Sequence, residues 1–131
     1  MSSFPRKPGL RPYNGFSPAE RVRKSRAVKA AIEAGEIVPS RTCSVCARTF
    51  PHAIGRHSED YADMSAFYAV CRRCHYAIHI RFRRPDFWKG YIAALDPTGW
   101  FQQLSLDPAT LTRPFKETYP NGVAVYGQHC E

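Results

Sequence analysis

Two cysteine pairs constrain this chain more than any other feature. CSVC (Cys43, Cys46) and CRRC (Cys71, Cys74) are C-x2-C units with 24 residues between them. A two-residue gap lets a tight knuckle aim both thiolates at one ion, and two knuckles supply the four ligands of a tetrahedral zinc site. The intervening stretch suits one β-hairpin, which would carry the second knuckle back to the first. Cys43, Cys46, Cys71 and Cys74 are therefore expected to share a structural Zn2+, whose binding energy is folding energy. Cys130, beside His129, is expected to be a tail thiol rather than a ligand.

At 131 residues the chain is read as one domain with a modest core. Residues 1–16 hold Pro5, Pro8, Gly9, Pro12 and Gly15 among Arg6, Lys7 and Arg11, and are expected to form an extended basic arm. Residues 17–35 predict a helix, with Ser17 as N-cap, Pro18 at its first position, Glu20 closing a capping box and Gly35 as the stop. Val22, Ala30 and Ile32 give that helix a thin apolar stripe, wrapped by Arg21, Arg23, Lys24, Arg26 and Lys29. Residues 36–96 are expected to hold the zinc core. FPHAIGRH alternates as a strand with His52, Ile54 and Arg56 on one face, and AFYAV forms a second strand. CRRCHYAIHIRF enters a helix, and Pro85 with Asp86 starts another, whose apolar face is Phe87, Trp88, Tyr91, Ile92 and Leu95. Residues 97–131 are expected to wrap over the core as an irregular tail. The fold class is thus a small α+β, zinc-stabilised unit.

Charge narrows the partner. The net charge is +8, and residues 1–30 alone carry eight Lys/Arg against one acid. Residues 41–90 carry nine against four, whereas residues 91–131 carry two against four. A polyanion is the natural partner of such a field, since each cation set against a phosphate releases counterions. A solvated basic face is the competing explanation. No apolar run approaches the ~20 residues that span a bilayer, and the N-terminus lacks the apolar stretch of a secretory signal. A reducing cytoplasm, where thiols bind metal instead of pairing, is the expected compartment.

With zinc closed by four sulfurs, His75 and His79 are left for other work. At i and i+4 they share one helix face, close enough to hold a second metal. The preceding strand offers His57, followed by Glu59 and Asp60. A hairpin crossed by a helix, with histidines converging between them, suits metal-assisted phosphodiester hydrolysis. His75 could instead pack on the knuckle, His79 on the buried side of its helix, and His57 and His52 could be ordinary strand residues.

The run CSVC … HSEDYADMSAFYAVCRRCHYAIH resembles the zinc-stapled branch of the HNH (His-Me finger, ββα-metal) endonucleases over about residues 40–82. The resemblance implies a ββα-metal core and endonuclease or nickase activity on nucleic acid, DNA ahead of RNA. It implies a catalytic site of His57, Asp60, His75 and His79, with His75 and His79 at a Mg2+, Mn2+ or Zn2+ ion. Relatives carry a pair of functional residues at the end of the first strand, where this chain has Arg56-His57-Ser58, and the family's middle Asn is absent. His57 therefore aligns either as metal ligand or as general base, and Glu59 or Asp60 could supply a missing carboxylate. Arg56 or Arg73 would steady the phosphate. The alternative is a non-catalytic, zinc-stabilised nucleic-acid-binding protein, threading its arm aromatics Phe4, Tyr13 and Phe16 along a strand. A third reading is an adaptor that uses the aromatic face of Trp88, Trp100 and Phe101.

Overall fold

A computed structural model describes residues 10–124. Four helices, α1 (Pro18–Glu33), α2 (Arg72–Ile80), α3 (Pro85–Ala93) and α4 (Phe115–Thr118), accompany two strands, β1 (Gly55–His57) and β2 (Tyr68–Val70). The fold class is α+β. The strands pair antiparallel, Gly55 opposite Val70, Arg56 opposite Ala69 and His57 opposite Tyr68. The first strand is shorter than the alternation of FPHAIGRH predicts. Pro51 has no N–H for a ladder, and the chain before it is occupied in closing the first knuckle through the Thr42–Thr49 bridge.

That knuckle is a tight loop because Ala47 takes the left-handed conformation (φ 66°), while the Cys43 N–H reaches the Arg48 carbonyl and the Ala47 N–H the Cys43 carbonyl. Ser44 docks it on β2, with both its N–H and its hydroxyl donating to the Ala69 carbonyl at 2.8 and 2.7 Å. Trp100 completes the clasp by donating its indole N–H to the Ser44 hydroxyl at 3.1 Å. The second knuckle runs straight into α2, with Cys71 at the N-cap position. The core fills the space between. Tyr68 stacks face to face on Trp100 at 3.7 Å, and Val45, Val70, Ala77, Ile78, Trp88, Ile92 and Phe101 close around them. Trp88, Trp100 and Phe101 are thus interior packing, not an adaptor surface.

Helix α1 begins as expected, with the Ser17–Glu20 capping box formed in both directions and Gly35 at φ 79° beyond its end. Its buried face differs from the predicted stripe: Arg21, Lys24 and Val28 point inward, and Ala30 is exposed. Lys24 is the reason. Its ammonium donates to the carbonyls of Asp60 and Ala66, tying down the loop between the strands, and burial lowers its pKa to about 8. A long aliphatic stem lets a lysine line a core while its head satisfies backbone acceptors. Arg23, Arg26 and Lys29 remain outside, exposed.

Both ends of the described chain are more ordered than Pro/Gly content suggests. Beyond α3, two 3-10 turns (Trp100–Gln103 and Pro108–Leu111) and α4 bring Phe101, Leu104, Phe115 and Tyr119 into the core. At the other end, the arm reading fails for residues 10–16. Tyr13 and Phe16 bridge each other across Asn14 and Gly15, both at positive φ (53° and 80°), a two-residue turn of the primed type. Tyr13 and Asn14 are buried and Phe16 packs on the core, so Tyr13 and Phe16 are not free to stack on bases. Phe4 and Cys130 lie outside the described residues.

Gly15 makes that plug possible. A Cβ there would sit 2.7 Å from both the Arg113 carbonyl oxygen and the Pro114 Cα, which are backbone atoms with no rotamer to yield. Gly15→Ala is expected to destabilise the fold by about 1–3 kcal/mol from the left-handed backbone alone, and the clash adds to it. Urea denaturation would measure this. An unchanged midpoint would mean the turn does not seat as described.

Candidate metal centres and the histidine cleft

The four cysteine sulfurs of the two knuckles lie within 4.8 Å of one another, and Cys43 and Cys74 are almost completely buried. Cys43 Sγ accepts the backbone N–H groups of Val45 (3.4 Å) and Cys71 (3.3 Å). A hydrogen bond from Cys74, ahead of those backbone donors, pulls the Cys43 thiol down to about 4, so a thiolate is favoured where a cation would bind. Tyr91, on α3, reaches Cys74 at 3.1 Å and links the next helix to the cluster. This buried four-cysteine group fits a structural metal ion.

The second cluster forms where β1 meets α2. His75 and His79 project from α2 one turn apart, their Nε2 atoms 3.0 Å apart, and His57 Nδ1 on β1 lies 3.3 Å from His75 Nε2. One nitrogen from each of the three rings falls within the same 4.8 Å group. The burial grades outward, from His57 inside to His79 at the solvent side. Burial and then the neighbouring His57 push His75 down to about 4. The His79 ring, with Tyr13 5.6 Å away, has its pKa lowered in the same direction, by desolvation first and then by His57 and His75 beside it. Both imidazoles are therefore neutral at pH 7, with lone pairs available to a cation.

His57 is held from behind. Its Nε2 pairs with Glu59 Oε2 at 2.5 Å, which leaves Nδ1 as the nitrogen facing the cluster. Trp100 lies nearly parallel to its ring (centroids 6.1 Å, 22°). Glu59 is itself almost wholly buried, and its carboxylate accepts the Tyr13 hydroxyl at 2.6 Å and the Asn14 amide at 2.8 Å. The same amide also donates to the Glu59 carbonyl at 2.9 Å. Arg81, fully buried at the end of α2, donates to the Tyr13 hydroxyl at 3.0 Å and to the Ser105 and Ile78 carbonyls. Burial alone would raise the Glu59 carboxyl; hydrogen bonding to His57, the charges of His57 and Arg81, and Tyr13 outweigh it and hold the pKa below its usual value.

The residues singled out in the sequence therefore divide. His57, His75 and His79 come together. Asp60 does not join them: its carboxylate caps the Ala62 N–H at 3.0 Å, in the turn that follows. Alternation of side chains past the end of β1 sends Glu59, not Asp60, back toward His57. Arg56 lines the histidine cleft, whereas Arg73 is exposed on α2 and does not line it. His52 stays outside, against the Ala53 carbonyl. Tyr13, Asn14 and Arg81 were not expected at the site. The signal for the first two was Tyr13-Asn14-Gly15-Phe16, an Asn-Gly turn between aromatics.

The histidines open into a cleft of about 590 Å³ between α2 and the Tyr13 turn. Its walls include Arg11, Arg21, Arg56 and Arg83, with Tyr61 and Phe82, and no acid among the described residues. Among the described residues, no helix is long and apolar enough to cross a membrane. No family model matches the chain, and no curated protein and no solved structure matches it.

Proposed function

We propose that this chain is a metal-dependent hydrolase of nucleic-acid phosphodiester bonds, of the HNH type, with a zinc ion in the Cys43–Cys46–Cys71–Cys74 cluster. Four sulfurs and no other ligand type favour Zn2+. The observation that carries the hydrolytic reading is the convergence of His57, His75 and His79 in an arginine-lined cleft. The donor set, three imidazole rings, fits a divalent cation, and a bound Mg2+, Mn2+ or Zn2+ would stabilise negative charge on the scissile phosphate and leaving oxygen.

In this reading His75 and His79 hold the ion and His57 is the general base. With Nε2 on Glu59, its Nδ1 takes a proton from water, and the carboxylate behind it steadies the imidazolium that results. A second reading rests on the 3.3 Å between His57 Nδ1 and His75 Nε2. At that separation His57 suits a third ligand equally well, which leaves no histidine to take the proton and favours a protein that binds nucleic acid without cutting it.

The test is conversion of supercoiled plasmid, and separately of structured RNA, by wild type and His57→Ala with Mg2+, Mn2+ or EDTA. Metal-dependent nicking is expected for the wild type, reduced by about 10²-fold or more in the folded, zinc-loaded mutant. Metal content decides His57's role: a second equivalent retained in His57→Ala makes it the base, and one lost makes it a ligand. An inactive wild type with both ions bound would end the hydrolytic reading.

A further inference from the structure

Arg21 is the anomaly of the cleft. It stands in the first turns of α1, nine-tenths buried, and its side chain lines the same cavity as the histidines. Buried arginines are normally paired with a carboxylate or have all donors used. Arg21 makes no ion pair with a described carboxylate. One Nη1 hydrogen bond, to the Arg11 carbonyl at 2.7 Å, fixes its reach, while its Nε–H has no partner. Its guanidinium lies over the rings of Tyr13 (5.4 Å) and Tyr61 (5.2 Å), which hold the group in place without neutralising it. A preformed cation with an unused donor, beside nitrogens suited to a metal and across from Arg56, needs an anion, and a tetrahedral phosphate oxygen matches a guanidinium edge.

We infer that Arg21 is a phosphate clamp, its guanidinium facing from the cleft wall an oxygen of a phosphate group seated against the histidine cluster. The inference rests on the proposed function for the identity of that group, a phosphodiester of a nucleic-acid strand. It makes α1 a binding element of the cleft through its buried face, rather than through the exposed Arg23, Arg26 and Lys29. Arg21 is then a positioning and binding residue, and His57 keeps the proton transfer.

The test uses the zinc-loaded full chain, with Co2+ as the metal probe at the histidines and inorganic phosphate as the anion, by calorimetry and visible absorption. Arg21→Met keeps the apolar stem and removes the charge. It is expected to weaken phosphate binding by about tenfold or more at an unchanged melting temperature, with Arg21→Lys recovering part. The same Arg21→Met should tighten Co2+ binding measured without phosphate, because a cation facing the ion has gone; a merely structural arginine would not do this. Should Arg21→Met fold poorly, the Arg21 guanidinium N–H resonance of the wild type should shift as phosphate is added. Phosphate affinity unchanged in a folded Arg21→Met, or a resonance that stays in place, overturns the clamp. Phosphate binding that depends on Arg21 in a chain that cleaves neither plasmid nor RNA would retain the clamp and remove only the hydrolytic reading.

Discussion

Stripping the metal from the cysteine cluster, by chelation or by Cys43→Ser, is expected to unfold the chain rather than loosen it. Each strand of the sheet is only three residues long, and a two-stranded ribbon of that size has no independent stability in water. What orients it is the pair of knuckles. Cys43 and Cys46 sit on the loop that Ser44 fastens to β2, and Cys71 and Cys74 open α2, so one ion held by the four would join the loop, the ribbon and the helix. A structural zinc supplies about 10–16 kcal/mol of apparent binding energy at neutral pH, against a net stability of about 5–15 kcal/mol for a domain. Loss of the ion is therefore comparable to the whole margin. Far-UV circular dichroism and thermal melts, read beside zinc release, should show helix loss and no cooperative transition. A cooperative melt at the wild-type temperature in metal-free Cys43→Ser would mean that apolar packing alone holds the fold.

The features legible in the sequence are those with short-range signatures. Fixed cysteine spacing announced the four-sulfur cluster, SPAE announced the start of α1, and the i, i+4 histidines of CRRCHYAIH announced a shared helix face. What stayed hidden depends on partners far away in the chain. Tyr13 and Asn14 meet Glu59 across 46 and 45 residues, and no local pattern encodes that meeting. Basic and Pro/Gly-rich surroundings argued for an arm, yet one Asn-Gly turn was enough to bury Tyr13 and Asn14. Lys24 and Arg21 looked like solvent residues because hydropathy scales them as charges; long stems and backbone acceptors supplied by the 60–66 loop and by Arg11 reverse that. That Glu59 and not Asp60 meets His57 was hidden for a similar reason. A strand's alternation decides which neighbour faces inward, and β1 ends at His57, two residues short of Glu59.

Glu59→Gln is expected to cost about 3–5 kcal/mol, the range for breaking a buried charge pair from one side. Glu59 and Arg81 do not touch directly. Arg81 donates to the Tyr13 hydroxyl, which donates to Glu59, so the tyrosine relays one buried charge to the other. Glutamine keeps the shape but removes the negative charge, leaving Arg81, wholly inaccessible and already with Nη2 unpartnered, without compensation. Its single amide oxygen also cannot serve the Tyr13 hydroxyl, the Asn14 amide and a His57 Nε2–H together, so one buried donor loses its acceptor. Tyr13→Phe should cost less, since it removes the relay and leaves both charges present. The folded Glu59 carboxyl titrates below its usual 4.5; its contribution is present above that pH and lost as pH falls through the lower folded value. Glu59→Gln should therefore flatten the acid limb of stability as well as lower the plateau. Urea denaturation of wild type, Glu59→Gln and Tyr13→Phe from neutral pH downward measures both effects, and a Glu59→Gln plateau within about 1 kcal/mol of wild type would contradict the coupling. The same substitution frees His57 to exchange its two ring nitrogens between the buried side and the cleft. Metal affinity at the histidines should then fall even in the fraction that remains folded, because the nitrogen presented to the ion is set by the hydrogen bond behind it.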